Sequence, residues 1–288
     1  MGIVYRAHDE VLDRDVALKM MRAESAIDPE VSERFCREAR ACAQLNHPNI
    51  ITIYDFGQAD ASSSFIVMEL LSGVDWRSAI KGRGKIPLPL KLRLMLQVLD
   101  GLAHAHKHGI VHRDIKPSNL FLHLGEQAKI LDFGIARLPL SSLTRTGMVL
   151  GTPNYMAPEQ ITGKKCDARS DLFSAAIVFF ELLTGVHPFE APFIPRRIAG
   201  DAPDQIGDID PSLPAGLQEI FSRAFMKDLS CRYQTAEEFA SAFRDSTLVE
   251  QLPREPAAEK PRALDQDAAT ETLSGPCDVE STDPPTSA

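Results

Sequence analysis

Over the first 80 residues apolar and polar positions alternate in short runs. The clearest are Val16-Ala17-Leu18-Lys19-Met20 and Phe65-Ile66-Val67-Met68-Glu69, and their period of two predicts strands. One helix interrupts them: Asp28 can cap it, Pro29 suits its first turn, and Asn46-His47-Pro48 ends it. Its core stripe reads Val31, Phe35, Glu38, Cys42, Leu45, so a carboxylate sits among apolar positions. Either a cation meets Glu38, with Lys19 on the preceding strand the natural candidate, or Glu38 stands half exposed while Lys19 snorkels. From Leu90 the period turns helical, with Leu92, Met95, Leu96, Leu99, Leu102 and Ala103 on one stripe until Gly109. Asp171 to Leu183 is apolar on nearly every side yet too short to span a bilayer, which predicts a core helix. The pattern is that of an α+β chain with a β-rich first lobe and a larger helical second one.

Composition changes this picture only at its end. From about Leu248 the chain turns to Pro, Ala, Glu, Asp, Ser and Thr with almost no large apolar residues, which predicts a disordered acidic tail over 248–288. The remainder, in a chain of 288 residues with 44% hydrophobic and 25% charged positions, has ordinary globular composition. Forty acidic against 31 basic residues leave a net charge of −9, so no basic field is available for nucleic acid or an anionic membrane. Five cysteines without a C-x-x-C pair fit a reduced cytosolic chain. No apolar run reaches the length of a membrane span, no signal peptide is visible, and Arg6 spoils the Met-Gly myristoylation pattern. The expected compartment is the cytoplasm.

Candidate chemistry concentrates after the long helix. His112-Arg113-Asp114-Ile115-Lys116-Pro117-Ser118-Asn119 follows it, and Asp132-Phe133-Gly134 comes after the short apolar run Lys129-Ile130-Leu131. Two carboxylates and an amide among strand ends suit hard oxygen ligation of magnesium; a stray Asp-x-x-Asn more commonly marks an Asx-turn.

The ordered combination of Val-Ala-Leu-Lys ending at Lys19, His-Arg-Asp-x-Lys-Pro-x-Asn, Asp-Phe-Gly and Ala157-Pro158-Glu159 resembles the signature set of protein kinases. The likeness runs from Met1 to about Phe243 and is greatest to bacterial eukaryotic-like Ser/Thr kinases. Lys116 and the segment Gly151-Thr152-Pro153-Asn154-Tyr155-Met156-Ala157-Pro158-Glu159, which seats a peptide in that family, resemble the Ser/Thr branch. The resemblance implies a two-lobed fold, with a small antiparallel N-lobe over 1–71 and a helical C-lobe over 72–247. It also implies use of ATP and Mg2+, with protein Ser/Thr hydroxyls as acceptors.

It further implies roles. Lys19 would hold the α- and β-phosphates and pair with Glu38, Asp114 would orient the acceptor hydroxyl and take its proton, and Lys116 would neutralise the γ-phosphoryl group. Asn119 and Asp132 would bind magnesium. Gly2, Val4 and Ala17 would cover the nucleotide and Phe121 would floor it. Met68 would be the gatekeeper, Glu69 to Leu71 the hinge, and Asp75 the ribose contact; without the motifs the apolar ones among these read as plain core. Glu159 is expected to pair with Arg232, and Asp171 to bind the backbone near His112. Between Asp132 and Glu159 lie hydroxyls at Ser141, Ser142, Thr144, Thr146 and Thr152. Thr144 and Thr146 match paired autophosphorylation sites, to which Arg113 could pair, or they are plain loop hydroxyls. Thr152 resembles the threonine that bonds Asp114 and Lys116.

Three features depart from the pattern or stand beside it. Ala175-Ala176 replaces the family's usual Leu-Gly. The chain opens inside the glycine-rich loop, Gly2 matching its third glycine, so the resemblance implies a chain truncated there, with a raw sheet edge and reduced phosphate cover. His104 and His108 stand at i, i+4 and could chelate a metal, but no third ligand is evident. The expected activity is Ser/Thr protein phosphorylation, including autophosphorylation between associated copies. The alternatives are a kinase-fold scaffold without turnover and a small-molecule phosphotransferase.

Overall fold

The computed structural model describes residues 3–20, 42–60, 63–82, 86–133, 153–191 and 194–245, with the backbone alone at 58–60 and 63. Strands β1 (Ile3–Asp9) and β2 (Arg14–Met20) form an antiparallel hairpin with Val4 opposite Lys19 and Arg6 opposite Ala17. Asp9 closes its turn, accepting the N–H groups of Val11 and Leu12 at 3.2 and 3.1 Å. Strands β3 (Ile53–Asp60) and β4 (Ser63–Glu69) complete a sheet of order β1-β2-β4-β3. Residues directly opposite share a face, so the pairs Ala17–Met68 and Lys19–Ile66 put these four side chains on the side that also carries Val4. Gly57 permits the β3–β4 approach: a Cβ there would lie 2.5 Å from the Phe65 ring. Ala17 and Ile66 are buried, whereas Val4 on the edge strand is 56% exposed.

A second sheet, of order β5-β6-β7, consists of β5 (Gly73–Asp75), β6 (Leu120–His123) and β7 (Gln127–Ile130). Main-chain bonds join it to the segment before β3. Ile130 donates its N–H to the Asn49 carbonyl at 2.8 Å and accepts the Ile51 N–H at 3.0 Å. The Asn49 amide adds a bond to the Ala128 carbonyl at 2.9 Å. Helix α1 (Trp76–Lys81) is capped by Asp75, whose Oδ1 accepts the Ser78 N–H at 2.7 Å. Helix α2 (Leu88–Lys107) starts two residues ahead of the predicted Leu90, because prolines suit the first turn, and gives way to Gly109 at φ 73°.

Five more helices are α4 (Ala168–Thr184), α5 (Ile194–Gly200), α6 (Ile206–Ile209), α7 (Gly216–Ala224) and α8 (Ala236–Asp245), with the short α3 (Pro158–Ile161) ahead of them. Helix α4 is the predicted core helix. Asp167 caps its start, Gly185 ends it in the left-handed region, and Phe173, Ile177, Val178 and Phe179 are fully buried. Phe173 and Phe180 meet the rings of Phe189, Phe221 and Phe225 at centroid distances of 5.5 to 6.2 Å. Ala175 and Ala176 are fully buried, so the methyl at the position where glycine is usual finds room in this packing.

The predicted helix after Asp28 lies outside the described residues except for Cys42 and Ala43, which are helical. Residues 1–252 group as one compact unit; the other, 253–288, and the whole predicted tail also lie outside them. Among the described residues no helix is long and apolar enough to cross a membrane.

Candidate active site

The loop after α2 is shaped by a buried carboxylate on α4. Asp171, 1% exposed, accepts the N–H groups of His112 and Arg113 at 2.8 and 2.7 Å, as expected, and the His106 Nε2–H at 2.8 Å. Arg113 has φ 63°, a conformation that costs a non-glycine residue about 1 kcal/mol or more and persists where its surroundings over-determine it. Here those surroundings include Asp171 and Gln160, which donates to the Arg113 carbonyl at 2.9 Å. His112 Nδ1 accepts the Asp114 N–H at 3.2 Å, so its Nε2–H donates to the Leu131 carbonyl at 2.8 Å.

This frame presents the polar side chains. Lys116 Nζ and Asn119 Nδ2 both meet Asp114 Oδ2, at 2.7 and 3.0 Å, and Asn119 also donates to the Asp114 carbonyl at 2.8 Å. The Leu131 N–H donates to the Asn119 carbonyl at 2.8 Å, which ties this loop to the end of β7. The next residue, Asp132, takes φ 49° and meets Lys19 Nζ at 2.5 Å from the other sheet. The side chains of Lys19 and Asp132 are 19% and 42% exposed, so water and ions screen the pair and it can exchange partners. The Asp132 carboxylate and the Asn119 amide oxygen are hard oxygen donors of the kind magnesium takes, and the Lys19 ammonium is suited to phosphate.

The nucleotide-pocket residues fall on both sheets. Val4, Ala17, Lys19 and Met68 share one sheet face, and Met68, Lys19, Cys42, Asp132 and Phe133 line a small common cavity. Phe121 lies on β6 opposite Asp75 and beside Gly73, whose φ of 141° only glycine adopts readily. Leu71 is partly buried between β4 and β5. The Glu69 N–H donates to the Thr52 carbonyl at 2.9 Å, while the buried Lys129 holds the Glu69 carboxylate through its Nζ at 2.8 Å. Asp75 has one oxygen engaged as the cap of α1. Gly2, Glu38, Thr144, Thr146, Thr152 and the neighbouring Ser141 and Ser142 lie outside the described residues; Arg113 is exposed on the loop surface.

Further residues support the site. Glu159 and Arg232, 4% and 1% exposed, form the expected pair through two bonds of 2.9 Å, and the Ser170 hydroxyl donates to Glu159 at 2.6 Å. Burial alone would raise the Glu159 carboxyl; the guanidinium and the hydroxyl hold it below its ordinary value. Glu181, which reads in sequence as a break in an apolar run, accepts the Tyr155 hydroxyl proton at 2.7 Å, and burial pushes its carboxyl up. Lys129, Gln160, Glu181 and His187 were not singled out as functional residues by sequence reasoning. The only available signal was a polar residue within or beside an apolar stretch.

The histidines divide. His106 faces Asp171, whereas the His104 ring packs 4.5 Å from His108 and 5.1 Å from His47, brought in from the segment before β3. Burial lowers the pKa of both His47 and His104. Among the described residues no group of three or more His, Cys, Asp or Glu side chains is arranged to hold a metal ion.

Comparison with known proteins agrees with this geometry. A family model for the protein kinase domain matches residues 1–228. The serine/threonine-protein kinase PrkC of Bacillus subtilis is 38% identical over 258 residues, covering 88% of this chain and 39% of the relative. The serine/threonine-protein kinase PknB of Mycobacterium leprae is 38% identical over 255 residues, covering 83% and 40%. The chain thus spans about two fifths of the length of these curated relatives. The crystal structure of the Mycobacterium tuberculosis PknI kinase domain superposes with a TM-score of 0.68 at 30% identity, over 85% of this chain and 91% of that one.

Proposed function

The chain belongs to the protein kinase domain family, and on that premise we propose that it transfers the γ-phosphoryl group of Mg-ATP to Ser and Thr hydroxyls of proteins, its own activation segment included. The observation that carries this reading is the convergence of Lys116 and Asn119 on one oxygen of Asp114, with Asp132 held by Lys19 close to the same loop. Bound Mg-ATP supplies the phosphoryl group and a divalent charge. The bond from the γ-phosphorus to its bridging oxygen breaks, one to the acceptor Oγ forms, ADP leaves, and the hydroxyl proton passes to the Asp114 carboxylate.

Each residue then has a task. Lys116 offsets charge on the group in transfer while orienting Asp114, and Asn119 and Asp132 offer oxygens to magnesium. Lys19 holds the α- and β-phosphates, oriented by Glu38. Ala17, Val4 and Gly2 cover the base, Phe121 lies beneath it, Met68 closes the back, Glu69 and Leu71 bond its edge, and Asp75 meets the ribose. Phosphate on Thr144 or Thr146 pairs with Arg113, and Thr152 seats against Asp114 and Lys116. Copies associate to phosphorylate one another. The lobe division at 71/72 and a cytoplasmic location, where Mg-ATP is supplied, belong to the same reading.

Intact-mass measurement of the chain before and after Mg-ATP, with Asp114→Asn alongside, tests it. Mass steps of phosphate on the wild type alone, mapped to Thr144 or Thr146, are expected. No phosphate on the wild type or on a basic protein acceptor would overturn the reading.

A further inference from the structure

The segment Pro153–Ala157 is held from two directions. On one side Gln160 takes the Ala157 N–H on its Oε1 at 2.9 Å and donates its Nε2–H to the Arg113 carbonyl, so the segment is coupled to the residue next to Asp114. On the other side it rests on α4 and on the loop that follows. Tyr155 reaches Glu181, and the ring of His187, 8% exposed, lies edge-on to Tyr155 at 5.5 Å. Both His187 nitrogens are used. Nδ1 accepts the Phe189 N–H at 3.1 Å, which leaves the proton on Nε2, and Nε2–H donates to the Asn154 carbonyl at 3.0 Å.

A side chain needed only to fill this space would be apolar. A buried imidazole with two main-chain partners from separate segments carries a geometric instruction instead, since its loss leaves the Asn154 carbonyl and the Phe189 N–H unpaired. We infer that His187 is a positioning residue for the protein acceptor: it fixes the Asn154 carbonyl and so shapes the surface of residues 153–157 over which the acceptor chain lies beside Asp114. The inference rests on the kinase reading and adds a specificity element to it. His187 stays neutral while it does this, because burial pushes its pKa down to about 4 and a second proton on Nδ1 would break the Phe189 bond.

Two substitutions in the full chain test it. His187→Leu keeps the volume and removes both bonds; His187→Gln can donate to Asn154 from its amide. His187→Leu is expected to raise KM for myelin basic protein about tenfold, with KM for ATP and acceptor-free ATP hydrolysis within about twofold of wild type, an effect worth one lost hydrogen bond. Deuterium uptake should rise over residues 153–157 and not over α4, and His187→Gln should recover most of both effects. An unchanged acceptor KM, a parallel rise in both KM values, or unchanged uptake over 153–157 would each overturn the inference. A wild type that transfers no phosphate to any acceptor would instead sink the parent reading, and the uptake measurement would still judge the latch.

Discussion

Two carboxylate–cation pairs hold this molecule in different ways. Glu159 and Arg232 are sealed in the helical part, joined by two bonds and backed by Ser170. Lys19 and Asp132 meet between the two sheets through one contact, with a side of each left to solvent. A sealed pair cannot change partners without leaving a charge stranded, so it specifies geometry. An open pair is weakly held, and a phosphate or a divalent ion can part it at little cost. The difference marks Glu159–Arg232 as scaffold and leaves Lys19–Asp132 able to serve the chemistry proposed for it.

Lys19→Met should make the largest difference. Phosphoryl transfer is expected to fall about 10⁴-fold, or about 5 kcal/mol in barrier, while the denaturant midpoint hardly moves. A midpoint shift as large as that of the sealed pair would break the contrast. Glu159→Gln should do the opposite, destabilising the fold by about 3–5 kcal/mol in urea and reducing activity only through loss of folded protein.

Titration sharpens the contrast further. His187 is buried neutral, with a pKa lowered to about 4. Between its unfolded value of about 6.5 and that figure the unfolded chain binds the extra proton. The His187 contribution, up to about 3 kcal/mol, is therefore whole above pH 6.5 and is lost as pH falls toward 4. The contribution of Glu159, a depressed carboxyl, is whole down to its ordinary value of 4.5 and is lost only as pH falls below that. Urea midpoints between pH 7 and 4 should accordingly fall for the wild type and stay flatter for His187→Leu.

The pair between Glu69 and Lys129 is intermediate in burial, and a double-mutant cycle with Glu69→Gln and Lys129→Met should return a coupling of about 1–2 kcal/mol. At the far end stands Arg6 with Asp15, both well exposed on the first hairpin. Arg6→Ala should shift Tm by less than about 1 °C in a thermal scan.

Much of this was legible in the chain. Strand alternation located β2 and β4, the apolar stripe located α2, and all-round hydrophobicity located α4. Motif order pointed to Asp114, Lys116, Asn119 and Asp132, and the structure brings these four side chains to one loop and the strand end beside it. Partnerships across the fold were harder. Sequence reasoning anticipated Glu159 with Arg232, 73 positions apart, only through resemblance. The same resemblance directed Lys19 toward Glu38 and did not anticipate its meeting with Asp132. Lys129 with Glu69, Tyr155 with Glu181 and His187 with Asn154 were missed, because a lone polar residue gives no hint of which distant segment will face it. Left-handed backbone at Arg113 was equally invisible, since tertiary bonds impose it on a residue type that seldom adopts it; aspartate enters that region more readily, yet nothing in the chain singled out Asp132 for it.

The stitch between residues 49–51 and Ile130 is made of peptide groups. A codon change can replace any side chain nearby, yet none except to proline can delete those donors and acceptors. The mount that joins the two sheets is thereby written in the part of the chain that most single substitutions leave unchanged.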